Sequence, residues 1–175
     1  MWDGAQKDAA GRNEIHGTEA DDVIRGTDQA DLIVGHGGED IICGGGGADL
    51  IYGDNEDMFS SSGSFDLIDG EAGDDFISGG GGRDWLHGSE GEDRLLGGWD
   101  EDHLFGGAAR DLLVGMMGAD VHHGGNGNDV IHAVAGDDSL VDESYGNEGY
   151  DVCHVDKEED DSLTLTLCEV VFPGP

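Results

Sequence analysis

The sequence predicts an all-β fold, a solenoid of short turn-and-strand units, and three observations predict it. A nine-residue period runs through most of the chain. Within each period one position is Asp, and the position two residues on is nearly always aliphatic. Glycine is abundant, 34 of 175 residues, while proline occurs only twice. Glycine-rich turns between strands too short to stand alone describe a stacked repeat, in which each unit buries its apolar face only against its neighbours.

From Gly17 the repeats read GTEADDVIR, GTDQADLIV, GHGGEDIIC and GGGGADLIY. Eight residues intervene at 53–60, and the register resumes as SSGSFDLID, GEAGDDFIS, GGGGRDWLH, GSEGEDRLL, GGWDEDHLF, GGAARDLLV, GMMGADVHH, GGNGNDVIH and AVAGDDSLV. A second insertion at 142–145 precedes the last repeat, GNEGYDVCH. Position 6 is Asp in all 14 repeats: Asp22, Asp31, Asp40, Asp49, Asp66, Asp75, Asp84, Asp93, Asp102, Asp111, Asp120, Asp129, Asp138 and Asp151. Position 8 is Ile or Leu in 12; the exceptions are His122 and Cys153. A low-complexity Gly/Asp tract would not hold both positions in phase across two insertions. The chain therefore divides into an N-terminal segment with a degenerate capping repeat (1–16, Asn13 at the Asp position and Ile15 at the aliphatic one), the repeat array (17–154) and a C-terminal cap (155–175).

The pattern GGxGxDxUx, with U aliphatic, resembles the RTX (repeat-in-toxin) calcium-binding family over about four-fifths of the chain. The resemblance implies a right-handed parallel β-roll in which two repeats make one coil. It also implies that Ca²⁺ lies between the turns of repeats n and n+2. Its ligands would be the Asp carboxylates and the backbone carbonyls of turn positions 1 to 4. The carbonyls best placed by sequence are those of Gly35, Gly37, Gly44, Gly45, Gly46, Gly47, Gly79, Gly80, Gly81, Gly82, Gly124, Gly125 and Gly127. The chemistry suits the residue types. Ca²⁺ takes six to eight oxygen ligands. A short turn supplies them as carbonyls only if its backbone bends sharply, which Gly permits.

If the 53–60 insertion only lengthens one turn, two stacks of carboxylates follow. One is Asp22, Asp40, Asp66, Asp84, Asp102, Asp120 and Asp138; the other is Asp31, Asp49, Asp75, Asp93, Asp111, Asp129 and Asp151. Six gaps per stack accommodate up to about a dozen ions. The turns 61–66, 106–111 and 133–138 replace glycines and are expected to bind less well. Each repeat buries one aliphatic side chain while ordering nine residues, so the metal-free chain is expected to be largely unfolded and calcium to supply the folding free energy. Acid is expected to unfold it too. Calcium modules of this affinity class work outside the cell.

Composition narrows the partners. With 41 acidic against 7 basic residues the formal net charge is −34, which excludes nucleic acid and anionic surfaces and demands cations. No segment has the length and apolarity of a membrane span, and residues 1–16 are too polar for a signal peptide. No HExxH, GxSxG or P-loop motif occurs, so no enzyme activity is expected. In the tail, Leu163, Leu165 and Leu167 alternate with Thr164 and Thr166, the pattern of a capping strand. A Cys153–Cys168 disulfide would pin that cap to the last coil; two buried thiols are the alternative. Cys43 has no obvious partner. His122, His123, His132 and His154 cluster late in the chain, either as a transition-metal site or as ordinary side chains. Positions 7 and 9 should face outward, and they are apolar at 10 of 14 places in the even repeats, including Leu32, Val34, Leu50, Tyr52 and Phe76. That face is the expected surface for a homo-oligomer or filament. The sequence thus predicts a secreted, calcium-folded structural module; the alternative is the C-terminal module of a larger toxin, protease or adhesin.

Overall fold

The computed structural model describes residues 6–56, 61–133, 142–155, 164–166 and 169–170. Strands follow one another in chain order. They are β1 (Gln6–Lys7), β2 (Asn13–His16), β3 (Val23–Arg25), β4 (Asp31–Val34), β5 (Ile41–Gly46), β6 (Leu50–Tyr52), β7 (Leu67–Ala72), β8 (Phe76–Gly81) and β9 (Trp85–Glu90). Then come β10 (Arg94–Trp99), β11 (His103–Ala108), β12 (Leu112–Met117), β13 (Val121–Asn126), β14 (Val130–Ala133), β15 (Glu143–Glu148), β16 (Val152–Val155), β17 (Thr164–Thr166) and β18 (Glu169–Val170).

Successive strands alternate between two sheets. The even strands from β2 to β18, with β1 at the edge, form a ten-stranded sheet; the odd strands from β3 to β17 form an eight-stranded one. Every pairing is parallel except β1 with β2. Two repeats therefore make one coil, and the chain winds as a parallel β-roll. The inward residue of each three-residue strand core meets its counterpart two repeats on. In one sheet the ladder runs Ile15, Ile33, Ile51, Ile77, Leu95, Leu113, Ile131, Cys153. In the other it runs Ile24, Ile42, Ile68, Leu86, Leu104, His122, Ser144. These side chains form the core.

The N-terminal repeat joins this scheme. Asn13 and Ile15 pair in register with Asp31 and Ile33, and β1 folds back antiparallel along the edge. The Asp8 carboxylate holds that return by accepting the Ala10 and Arg12 N–H groups at 2.8 and 2.9 Å. A covered edge cannot recruit a further strand.

Both insertions keep the two stacks but sit elsewhere than the sequence suggests. Gly53 N donates to Ser78 O at 2.9 Å, as Gly35 N does to Tyr52 O. Gly53 and Asp54 therefore begin a repeat, and the added eight residues are 55–62 rather than 53–60. In the second case Glu143–Tyr145 pair with Val121–His123, with Ser144 beside His122 at the inward register. Residues 142–145 are thus part of a repeat, not an insertion, and the four extra residues fall earlier, between Asp129 and Asp142.

The tail also differs from expectation. The sequence predicts one capping strand, whereas β17 extends the eight-stranded sheet and β18 the ten-stranded one, placing Leu165 in register with Ser144 and Val170 with Cys153. Each sheet thus gains a strand beyond the last repeat from residues that lack the repeat's sequence. Cys153 is buried and disulfide-bonded; Cys168, its expected partner, lies outside the described residues.

The expected association face is the less exposed of the two. On the ten-stranded sheet Leu32 and Val34 are buried, and the Tyr52 and Phe76 rings pack 6.1 Å apart. In-register neighbours on one face cover each other. The exposed large apolar strand residues are instead Val23, Ile41, Leu67 and Trp85, consecutive across β3, β5, β7 and β9 of the eight-stranded sheet.

Candidate metal sites along the turns

The turns come first, because they aim every polar group. Positions 2 and 4 carry positive φ, as at Gly80 (113°) and Gly82 (103°) in the turn 79–84. Non-glycine residues also adopt it: His36, Glu71, Ser89, Met116 and Asn147 at position 2, Asp100 and Ala109 at position 4. The turn 106–111 therefore keeps the shape of the others although Ala109 replaces glycine, at a cost of about 1–2 kcal/mol for a left-handed L-residue. Position 1 is glycine for another reason. A Cβ on Gly44 would lie 2.7 Å from both Asp49 Oδ2 and Gly70 O. A Cβ on Gly79 would meet Asp84 Oδ2 and lie 2.8 Å from Gly97 O. A carboxylate oxygen and a carbonyl oxygen from the next coil converge on that point.

The position-6 carboxylates use their two oxygens differently. Oδ1 accepts the backbone N–H of the position-6 Asp two repeats earlier. Asp22 N to Asp40 Oδ1 is 2.9 Å, Asp31 N to Asp49 Oδ1 is 2.8 Å, and the series continues to Asp129 N with Asp151 Oδ1 at 3.0 Å. The stacks are therefore Asp22, Asp40, Asp66, Asp84, Asp102, Asp120, Asp142 and Asp31, Asp49, Asp75, Asp93, Asp111, Asp129, Asp151. Asp142 stands where the sequence pointed to Asp138, which lies outside the described residues. The Oδ2 atoms of Asp40, Asp49, Asp66, Asp75, Asp84, Asp93, Asp102, Asp111 and Asp129 are buried and accept no hydrogen bond.

Burial and like charge make this column unstable as anions. Burial, with the neighbouring Asp66 charge, pushes Asp84 up to about 8. Burial and then the Asp84 charge push Asp102 up to about 10. Burial lifts Asp66, Asp75 and Asp111 to about 7, and Asp49 and Asp93 to about 6. The arginine ion pairs lie elsewhere, Arg12 with Asp8, Arg25 with Glu71 and Arg83 with Glu101.

A buried, unbonded carboxylate oxygen beside a carbonyl oxygen is a hard-oxygen donor set, and a divalent cation there removes both the desolvation and the repulsion. The residues fit calcium. Among the described residues no three His, Cys, Asp or Glu side chains converge on one metal, as expected where most ligands are carbonyls. Of the glycines expected to offer carbonyls, Gly35, Gly44, Gly79 and Gly124 occupy position 1, Gly45, Gly80 and Gly125 position 2, Gly37, Gly46 and Gly81 position 3, and Gly47, Gly82 and Gly127 position 4. The convergence on Oδ2 occurs at position 1.

One buried carboxylate escaped the repeat pattern. Asp54, 2% exposed, accepts Gly81 N at 2.8 Å, and burial pushes it up to about 6. Its signal was the Gly53 before it, which marks the start of a turn. The histidines form no joint cluster: His122 is buried in the core with Ser144 Oγ 3.3 Å from Nδ1, while the His132 and His154 rings stack on the ten-stranded sheet at 4.6 Å.

No curated protein matches the chain. The family model for the RTX calcium-binding nonapeptide repeat, in four copies, matches at residues 16–51, 51–86, 60–95, 78–113, 96–131 and 114–153. Those segments cover the repeats that carry the carboxylate stacks. With their turns, ladders and calcium-type donors in place, the chain belongs to the RTX calcium-binding repeat family.

Proposed function

We propose that calcium drives the folding of this roll, that it does so outside the cell, and that the folded roll is a structural module that self-associates through an apolar outer face. The observation that carries the reading is the column of buried carboxylate oxygens without hydrogen bonds. Such a column opposes folding until cations enter it, so metal binding and folding become one equilibrium. Extracellular modules of this kind work at about 10⁻⁴–10⁻³ M calcium, far above the resting cytosolic level. Self-association is supported by the row Val23, Ile41, Leu67 and Trp85, where Trp85 is 45% exposed and Val23 83%. Contiguous apolar exposure of this sort marks an interaction surface.

Chelation by EGTA should convert the far-UV circular dichroism from β to coil, and an unchanged spectrum would refute calcium-driven folding. Calcium-loaded protein should sediment as larger species as its concentration rises, and Trp85→Ser should weaken this. A monomer at every concentration rules out the assembly.

A further inference from the structure

We propose that Thr18 and Thr27 take the place of calcium in the first two turns of the roll, so that the ladder of ions begins at Asp40 and Asp49. The inference rests on the calcium ladder described above and concerns where that ladder stops.

In the first two turns the carboxylate is already satisfied. Thr18 donates to Asp22 Oδ2 twice, from its backbone N at 2.6 Å and its Oγ1 at 2.8 Å. Thr27 N donates to Asp31 Oδ2 at 2.6 Å, and Thr27 Oγ1 lies 3.2 Å from Asp31 Oδ1. Asp31 Oδ1 also accepts the side-chain amide of Asn13, which in turn lies 3.1 Å from Thr27 Oγ1. The equivalent Oδ2 atoms of the next two turns, Asp40 and Asp49, accept nothing.

The backbone agrees with the side chains. Positions 2 and 4 of these turns are Thr18, Ala20, Thr27 and Gln29, none of which has positive φ. The next turn, 35–40, does have positive φ at His36 and Gly38, although β4, like β2 and β3, stops before its turn. The first two turns therefore lack the bend that aims carbonyls inward. Their carboxylates meet N–H and O–H hydrogens where a cation would require oxygen lone pairs.

Two of the twelve gaps in the stacks are thus closed by neutral donors, and the N-terminal end is satisfied without metal. It provides a preformed edge on which calcium-dependent coils stack. Terminal repeats of a solenoid differ from internal ones for this reason: one of their faces has no neighbour.

Calcium stoichiometry of the full chain, by native mass spectrometry and equilibrium dialysis, tests the idea. The count expected is about ten ions, one for each open gap. The isosteric double variant Asp22→Asn with Asp31→Asn should keep that count, because the amide oxygen at each position still accepts the threonine backbone N–H. The double variant Asp84→Asn with Asp93→Asn, in the middle of the stacks, should lose at least two ions. A wild-type count of twelve, or a loss of ions in the Asp22/Asp31 variant, overturns the proposal. An unchanged count in the Asp84/Asp93 variant overturns the calcium ladder itself. Circular dichroism in calcium verifies that each variant is folded, and the wild-type count needs no variant.

Discussion

Gly44 and Gly46 stand two residues apart in one turn and carry different constraints. A Cβ at Gly44 would intrude between Asp49 Oδ2 and Gly70 O, where the ion's donors converge. At Gly46 the nearest atom would be 3.5 Å away, an ordinary contact, and φ is not positive. Gly44→Ala should therefore destabilise the calcium-loaded roll by about 1–3 kcal/mol, the usual cost of overpacking, while Gly46→Ala should stay within about 0.5 kcal/mol. Thermal unfolding in calcium compares the two. The carboxylates set the pH response. Their folded values lie above the ordinary 3.8, as at Asp84, about 8, and Asp75, about 7. The metal-free roll thus binds more protons than the unfolded chain. Its stability is greatest below about pH 4 and is lost as pH rises through about 6 to 10. Calcium requires the ionised form, so acid should weaken its binding. Acid then has two opposed effects: it strips calcium from the loaded roll but eases the repulsion in the metal-free one. In EGTA the β signal should be stronger at pH 4 than at pH 8.

At the scale of the strand, much was legible because the repeat writes each contact twice, once as Asp and once as an aliphatic residue. Both stacks cross the first insertion as the spacing implies, since eight added residues shift every later Asp equally. What the spacing could not locate was the insertion itself: eight residues at 53–60 or at 55–62 leave the same Asp positions. Only the crowding at position 1, which requires Gly53, separates the two. At the second insertion the preference for an aliphatic inward residue favoured Leu140, yet Ser144 holds that register. The clue was the nine-residue step from Asp142 to Asp151. The hydrophobic rule failed there because His122, one strand away, supplies the hydroxyl with a partner, Nδ1 at 3.3 Å. This polar pair weakens the core. Burial holds His122 down at about 4, below its ordinary 6.5, and its Nε2 has no partner. His122→Leu combined with Ser144→Ala should stabilise the loaded roll by about 1–3 kcal/mol, the penalty of an unsatisfied buried group. Chelator-resistance and thermal midpoints measure it.

At the scale of the whole molecule, charge and topology act in opposite directions. The −34 charge expands the chain, and every parallel strand pairing joins one coil to the next, segments about two repeats apart, so no single repeat is stable by itself. The roll exists only when many turns are neutralised together. Its folding should therefore be cooperative along the stack and appear as a change of size as well as of secondary structure. An unfolded chain of this length has a radius of gyration of about 44 Å, and a compact one about 16 Å. The ten-stranded sheet, with neighbours about 4.8 Å apart, gives the roll a long axis of about 43 Å, so the loaded form stays near the compact value. Small-angle scattering across a calcium titration should show a drop of more than half in radius. The drop should track the circular dichroism, with both transitions steeper than single-site binding. Sodium chloride screens charge but cannot fill the donor set around Oδ2, so high salt alone should leave the radius large. If salt alone compacted the chain to the calcium-loaded dimension, general screening and not site-bound calcium would be the agent that folds it.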